Sequence, residues 1–201
     1  MRLLFVCTGN LCRSPLAERL LRAWAERELG DAASSLRIES AGTAAARGPM
    51  DEQSALALTE LGGDPAGASA RQLSTVGTAD VDLVLTMTRE QRWAVLQHDP
   101  RALRRVFTLA EATALLALID RTGLTLLPAD ERARELALRL NMARARRAGG
   151  RDDDIPDPIG QSYEVHREVA ARIAAELRPL ADVLLAPARG PLLPRRPSSV
   201  I

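Results

Sequence analysis

Cys7 and Arg13 lie six positions apart, with Gly9 between them and Ser14-Pro15 directly after. A thiolate is a strong nucleophile, and an arginine fork grips two oxygens of one phosphate, which a lysine cannot do. A tight loop here turns backbone N–H groups toward one point, and a following helix adds the positive end of its dipole. Gly9 is expected to permit the curvature. Loops of this kind bring a cysteine from about 8.5 down to roughly 3.5–7.5. A bare Cys-x5-Arg pair recurs by chance, however, and a cysteine ending an apolar run is commonly a small core side chain. What separates the two readings is the strand before the pair and the helix after it.

The strand is Leu3-Leu4-Phe5-Val6, a short unbroken apolar run of the kind buried on both faces of a parallel sheet. Ser14-Pro15 reads as an N-cap with proline at the first helical position, opening a helix that runs from about Leu16 to Leu29 and closes at Gly30. The pattern repeats. Strands are expected at Leu36–Ser40, Val81–Leu85 and Val106–Leu109, with helices at Asp51–Leu61 and about Arg89–Gln97. That alternation predicts a single α/β domain over 1–185: a four-stranded parallel sheet, helices on both faces, and the phosphate-binding loop after the first strand. Ligands in such sheets sit beyond the carboxyl ends of the strands, where Cys7–Arg13 lies. Residues 110–151 read as a helical insert broken around Gly123–Pro128, with the arginines of its second half forming a solvated face. Asp152–Gly160 is a loop, a last helix runs from about Tyr163 to Leu177, and 186–201 is expected to be a disordered tail.

Composition removes several classes. The chain has 201 residues, 27 of them Lys or Arg against 26 Asp or Glu, and every basic one is Arg. Near-neutral charge argues against a nucleic-acid binder, and the lack of lysine excludes Schiff-base chemistry and a Walker-type phosphate lysine. Two cysteines, Cys7 and Cys12, are too few for a disulfide scaffold or a four-cysteine zinc site. The short apolar start and the lack of an apolar stretch of spanning length predict a cytoplasmic protein without membrane attachment. His98 and His166 stand alone in sequence and read as surface or core residues. No metal is expected.

The run Val6-Cys7-Thr8-Gly9-Asn10-Leu11-Cys12-Arg13-Ser14-Pro15-Leu16-Ala17-Glu18 resembles the active-site signature of the low-molecular-weight protein-tyrosine phosphatases. The resemblance continues through Ser40-Ala41-Gly42-Thr43, Ala70-Arg71-Gln72-Leu73, Asp82–Thr88 and Phe107-Thr108-Leu109, and returns at Asp157-Pro158. It implies that Cys7 attacks phosphorus to form a cysteinyl-phosphate, that Arg13 stabilises the transferring group, and that Asp157 acts as general acid, with Asp154 the runner-up. Thr8, Gly9, Asn10, Leu11, Cys12 and Ser14 would bind the phosphoryl oxygens or shape the loop, and Ser40 would support them. Cys12 pairs with Cys7 in some members. The implied partner is a phosphorylated protein, with phosphate or another oxyanion in the loop and no cofactor. Oligomeric state stays open.

Two signals about substrate conflict. The cleft walls, Thr43–Gly48 and Ile159-Gly160-Gln161, lack the aromatic residues of tyrosine-specific members, and Asp157–Gly160 is similar to relatives acting on phosphoarginine. Those relatives carry Thr where this chain has Leu11, an aliphatic residue as in tyrosine-type members. Leu11 touches the reacting group, so phosphotyrosine is the expected substrate and phosphoarginine the alternative. An arsenate reductase or a phosphate-binding module without catalysis fits less well. Trp93 either lines the cleft or packs on the sheet, and Arg47 is a candidate for the cleft mouth.

Overall fold

A computed structural model describes residues 1–147 and 153–187. Four parallel strands, β1 (Arg2–Cys7), β2 (Arg37–Gly42), β3 (Leu83–Thr86) and β4 (Val106–Thr108), lie in the order β2-β1-β3-β4. Seven α-helices connect them among the described residues: α1 (Arg13–Leu29), α2 (Glu52–Glu60), α3 (Leu73–Val76), α4 (Arg89–His98), α5 (Leu109–Leu116), α6 (Ala129–Ala143) and α7 (Tyr163–Leu184).

The apolar run of β1 explains the layering. Successive strand side chains face opposite ways, so Leu3, Phe5 and Cys7 join a core shared with α1, α2, α5, α6 and α7, while Leu4 and Val6 pack with Val84, Val95 and Val106 on the other face. The sheet is therefore covered on both sides, as expected. Strand order reverses at β1, which places the crevice beyond its carboxyl end.

Several local expectations fail for identifiable reasons. Ser14 is not an N-cap: α1 begins at Arg13 with Cys12 before it, and the Ser14 hydroxyl is engaged by Cys7 instead. α7 runs through Pro179 to Leu184, past the expected stop, because Leu180, Ala181, Val183 and Leu184 are buried and that packing outweighs the hydrogen bond a proline removes. The arginines of α6 are not all a solvated face. Arg132 is 1% exposed, and its guanidinium donates to the carbonyls of Leu124, Leu127 and Leu184 at 3.1, 2.9 and 3.2 Å. It thereby ties α6 to the turn before it and to the end of α7. The expected tail falls, from residue 188, outside the described residues, as does Asp152. Among the described residues, no helix is long and apolar enough to cross a membrane.

Candidate active site

The chain turns sharply after β1 because the loop's carbonyls are taken from behind. The carbonyls of Cys7, Thr8, Gly9 and Leu11 accept N–H groups from Thr43, Ala44, Ala46 and Asp51 at 3.0 Å each. The two dipoles of one peptide unit point opposite ways, so carbonyls held outward leave amides facing the loop's interior. Close approach of the backing segment depends on Gly42, where a Cβ would lie 2.5 Å from the Thr8 carbonyl oxygen. The expected role of Gly9 falls to Asn10 instead. Asn10 takes φ +55°, the left-handed region, whereas a Cβ on Gly9 would meet only Leu11 at 3.9 Å.

Asn10 tolerates that backbone because its amide side chain is fully used. It donates to the hydroxyls of Ser14 and Ser40, each at 2.9 Å, and accepts the Arg71 N–H at 2.7 Å. Ser40 passes the chain on to buried Glu18 at 2.5 Å, and Glu18 pairs with Arg22 and Arg71. At the other end, the Cys7 Sγ lies 2.9 Å from the Ser14 hydroxyl and accepts the Asn10 N–H at 3.2 Å. Thr8 is held from the opposite side by buried Gln91, which donates to its hydroxyl at 3.0 Å while accepting the N–H groups of Met87 and Thr88. The sequence does not single out Gln91, and it carries Glu18 only as the last residue of the signature-like run, with no role assigned. Nothing local marks them, since their partners are 22 and 83 residues away.

Arg13 is 4% exposed and closes the loop. One of its terminal nitrogens donates to the Ile155 carbonyl at 3.0 Å, and the other pairs with Asp157. Its Nε is buried with no hydrogen-bond partner, a donor that an oxyanion in the loop would satisfy. Asp157 therefore reaches the loop, while Asp154 does not: its carboxylate is turned to the backbone and guanidinium of Arg89 at 2.8 and 3.1 Å. Burial raises the Asp154 carboxyl, but the Arg89 bonds and charge outweigh it and hold the group below its ordinary value. Arg147 clamps Asp153, and Ile155 donates its N–H to Met87 at 2.8 Å, so the segment is moored on both sides of the cleft.

The cleft is a cavity of about 250 Å³ lined by Cys7, Arg13 and Asp157, with walls of Leu11, Ala46 and Ile159. No aromatic ring stands among them. Trp93 is 63% exposed on α4, and neither it nor Arg47 lines the cavity. Both cysteines are free thiols. Burial pushes the Cys12 thiol up to about 12 against a smaller opposing effect of its hydrogen bond with Ser54. His166 is not alone in space. It is buried, with Nδ1 2.8 Å from the Ser54 hydroxyl and 3.3 Å from Asp51.

The family model for low molecular weight phosphotyrosine protein phosphatase matches residues 2–120. A protein-arginine-phosphatase of Bacillus subtilis is 27% identical over 92% of this chain and 97% of its own length. The low molecular weight protein-tyrosine-phosphatase Ptp of Acinetobacter johnsonii is 33% identical over 53% of this chain and 70% of its own. Among solved structures, an arginine phosphatase carrying a Cys-to-Ser change and a phosphorylated active-site serine superposes with a TM-score of 0.64, at 27% identity, covering 90% of this chain and 94% of that one.

Proposed function

Since the chain belongs to the low molecular weight phosphotyrosine protein phosphatase family, whose members are cysteine-dependent phosphoric monoester hydrolases, we propose that it cleaves phosphotyrosine in proteins through a cysteinyl-phosphate on Cys7. The Cys7 sulfur attacks phosphorus in line with the ester oxygen, the P–O bond breaks, and Asp157 protonates the departing phenolate. Water then attacks the phosphorus, Asp157 takes its proton, the S–P bond breaks, and phosphate leaves. Arg13 and the loop amides hold the three equatorial oxygens, where charge spreads in the transition state. Ser14 and the Asn10 N–H stabilise the sulfur as it departs.

The observation that carries this reading is the buried, unpartnered Nε of Arg13 beside a sulfur that already accepts hydrogen bonds. In the related arginine phosphatase, a serine in place of the active-site cysteine carries the phosphoryl group, which supports attack from this position. Leu11 favours an aromatic leaving group: it offers the ring an apolar wall and has no hydroxyl to orient a guanidinium.

A second reading, phosphoarginine, is favoured by the ring-free walls and by the full-length likeness to the Bacillus enzyme. Hydrolysis of phosphotyrosine and phosphoarginine peptides by the wild type and by Leu11→Thr decides between them. Phosphotyrosine is expected to be preferred by the wild type, with Leu11→Thr moving the ratio toward phosphoarginine. A wild-type preference for phosphoarginine overturns the assignment.

A further inference from the structure

Where the phosphate loop meets α2 and α7 lies a group of side chains that takes no chemical step in the hydrolysis. Cys12 comes from the loop, Asp51 from the residue preceding α2, and His166 from the first turn of α7. The Cys12 Sγ, the His166 Nδ1 and an Asp51 carboxylate oxygen lie within 4.8 Å of one another. Cys12 and His166 are buried, and Asp51 keeps 23% of its side chain exposed. We propose that these three side chains form a binding site for a thiophilic divalent cation, zinc above all, that staples the phosphate loop to α2 and α7.

The donor set selects the metal. One thiolate, one imidazole and one carboxylate suit zinc, which takes mixed S, N and O ligands in a tetrahedron without geometric preference of its own. At ordinary bond lengths, tetrahedral ligand atoms stand about 3.4–3.6 Å apart. The observed 3.3 Å between His166 Nδ1 and Asp51 already matches, and the remaining edges need only about 1 Å of side-chain rotation. Nδ1 must offer its lone pair, which the tautomer carrying its proton on Nε2 provides. The Ser54 hydroxyl, hydrogen-bonded to Nδ1 at 2.8 Å, must release that nitrogen when an ion binds, and a water would fill the fourth position. Cys12 also lines the catalytic cavity, and partial exposure of Asp51 gives a second approach, so the site is reachable. Coordination removes the thiol proton, so a cysteine that is otherwise inert becomes a ligand.

The site is tested on the Cys7→Ser protein, where Cys12 is the remaining thiol, so the readout is independent of the proposed hydrolysis. Titration with Co2+ is expected to produce a thiolate-to-cobalt charge-transfer band and tetrahedral d–d bands that saturate at one ion per chain and are displaced by Zn2+. Adding Cys12→Ser should abolish the charge-transfer band. Adding His166→Gln should weaken binding by about 10- to 100-fold or more. Zinc should also raise the Tm of the Cys7→Ser protein but not of the Cys7→Ser/Cys12→Ser protein, whose folding is checked by circular dichroism. Absence of the band in a folded Cys7→Ser protein overturns the proposal. So does a band whose strength His166→Gln leaves unchanged, since the four side chains are then a hydrogen-bonded network only.

Discussion

The loop from Cys7 to Ser14 and the segment from Asp153 to Gly160 meet at Arg13, yet they are held in different ways. The N–H groups of Thr43, Ala44, Ala46 and Asp51, donating to the loop's carbonyls, and a buried chain running Cys7, Ser14, Asn10, Ser40, Glu18 fix the first. The second rests on the backbone bond from Ile155 to Met87 and on two arginine–carboxylate pairs, a largely buried one between Arg147 and Asp153 and an exposed one between Arg89 and Asp154, and the Asp157 side chain at its tip keeps 41% of its surface exposed. The difference matches what each must do. A loop that stabilises transition-state charge works best when its donors need no reorganisation. A segment that gives a proton to one leaving group and takes one from water can tolerate looser anchoring.

The contrast is tested most severely inside the loop. Cys7→Ser should lower turnover of para-nitrophenyl phosphate by roughly 10,000-fold or more while leaving phosphate binding measurable by calorimetry. Asn10→Ala removes three side-chain hydrogen bonds and puts a β-carbon residue without compensation at φ +55°. It should cost about 2–4 kcal/mol in denaturant unfolding and most of the activity. Asn10→Gly, which keeps the backbone, should recover part of the stability but not the rate.

Changes in the second region should act more narrowly. Asp157→Asn should reduce kcat about 100-fold or more for phosphotyrosine peptides and much less for activated aryl phosphates. Equal loss on both would remove Asp157 from the acid role. Arg89→Ala breaks only a partly exposed pair, so unfolding free energy should shift by less than about 1 kcal/mol. If it destabilises as much as Asn10→Ala, the two regions are not held differently.

Titration gives the smallest effects, and their signs are opposite. Asp99 is raised by burial but lowered more by bonds from Thr78, Arg101 and Arg105, leaving it below its ordinary 3.8. Its contribution is present above pH about 3.8 and is lost as pH falls through the depressed folded value. Cys12 moves from 9.0 up to about 12, so its contribution is present below pH 9 and is lost as pH rises toward 12. Iodoacetamide at neutral pH should accordingly spare Cys12 in the folded chain and label it after unfolding, read by peptide mass.

The sheet was legible because β1, β2, β3 and β4 are short runs whose burial follows from sequence alone, and Cys7, Arg13 and their spacing were legible because local backbone builds that loop. What was not legible is long-range. Ser14-Pro15 has the pattern of a helix cap, yet the cysteine seven residues earlier claims the hydroxyl. Gly9 reads as the residue that permits the curvature, yet Asn10 takes the left-handed conformation because Ser14, Ser40 and Arg71 satisfy its side chain. His166 looks isolated until α7 packs it against Ser54, 112 residues away. Arg132 reads as solvated until the end of α7 and the turn before α6 offer it carbonyls.

The central claim is that Cys7 carries the phosphoryl group between the two halves of the reaction. Acid-quenching the protein during turnover of para-nitrophenyl phosphate and mapping the phosphoryl group by peptide mass tests it directly. The account predicts a phosphoryl group on the Cys7 peptide that vanishes in Cys7→Ala/Asp157→Ala and accumulates in Asp157→Ala. Steady turnover with the group on another residue, or undiminished turnover by Cys7→Ser, would contradict it.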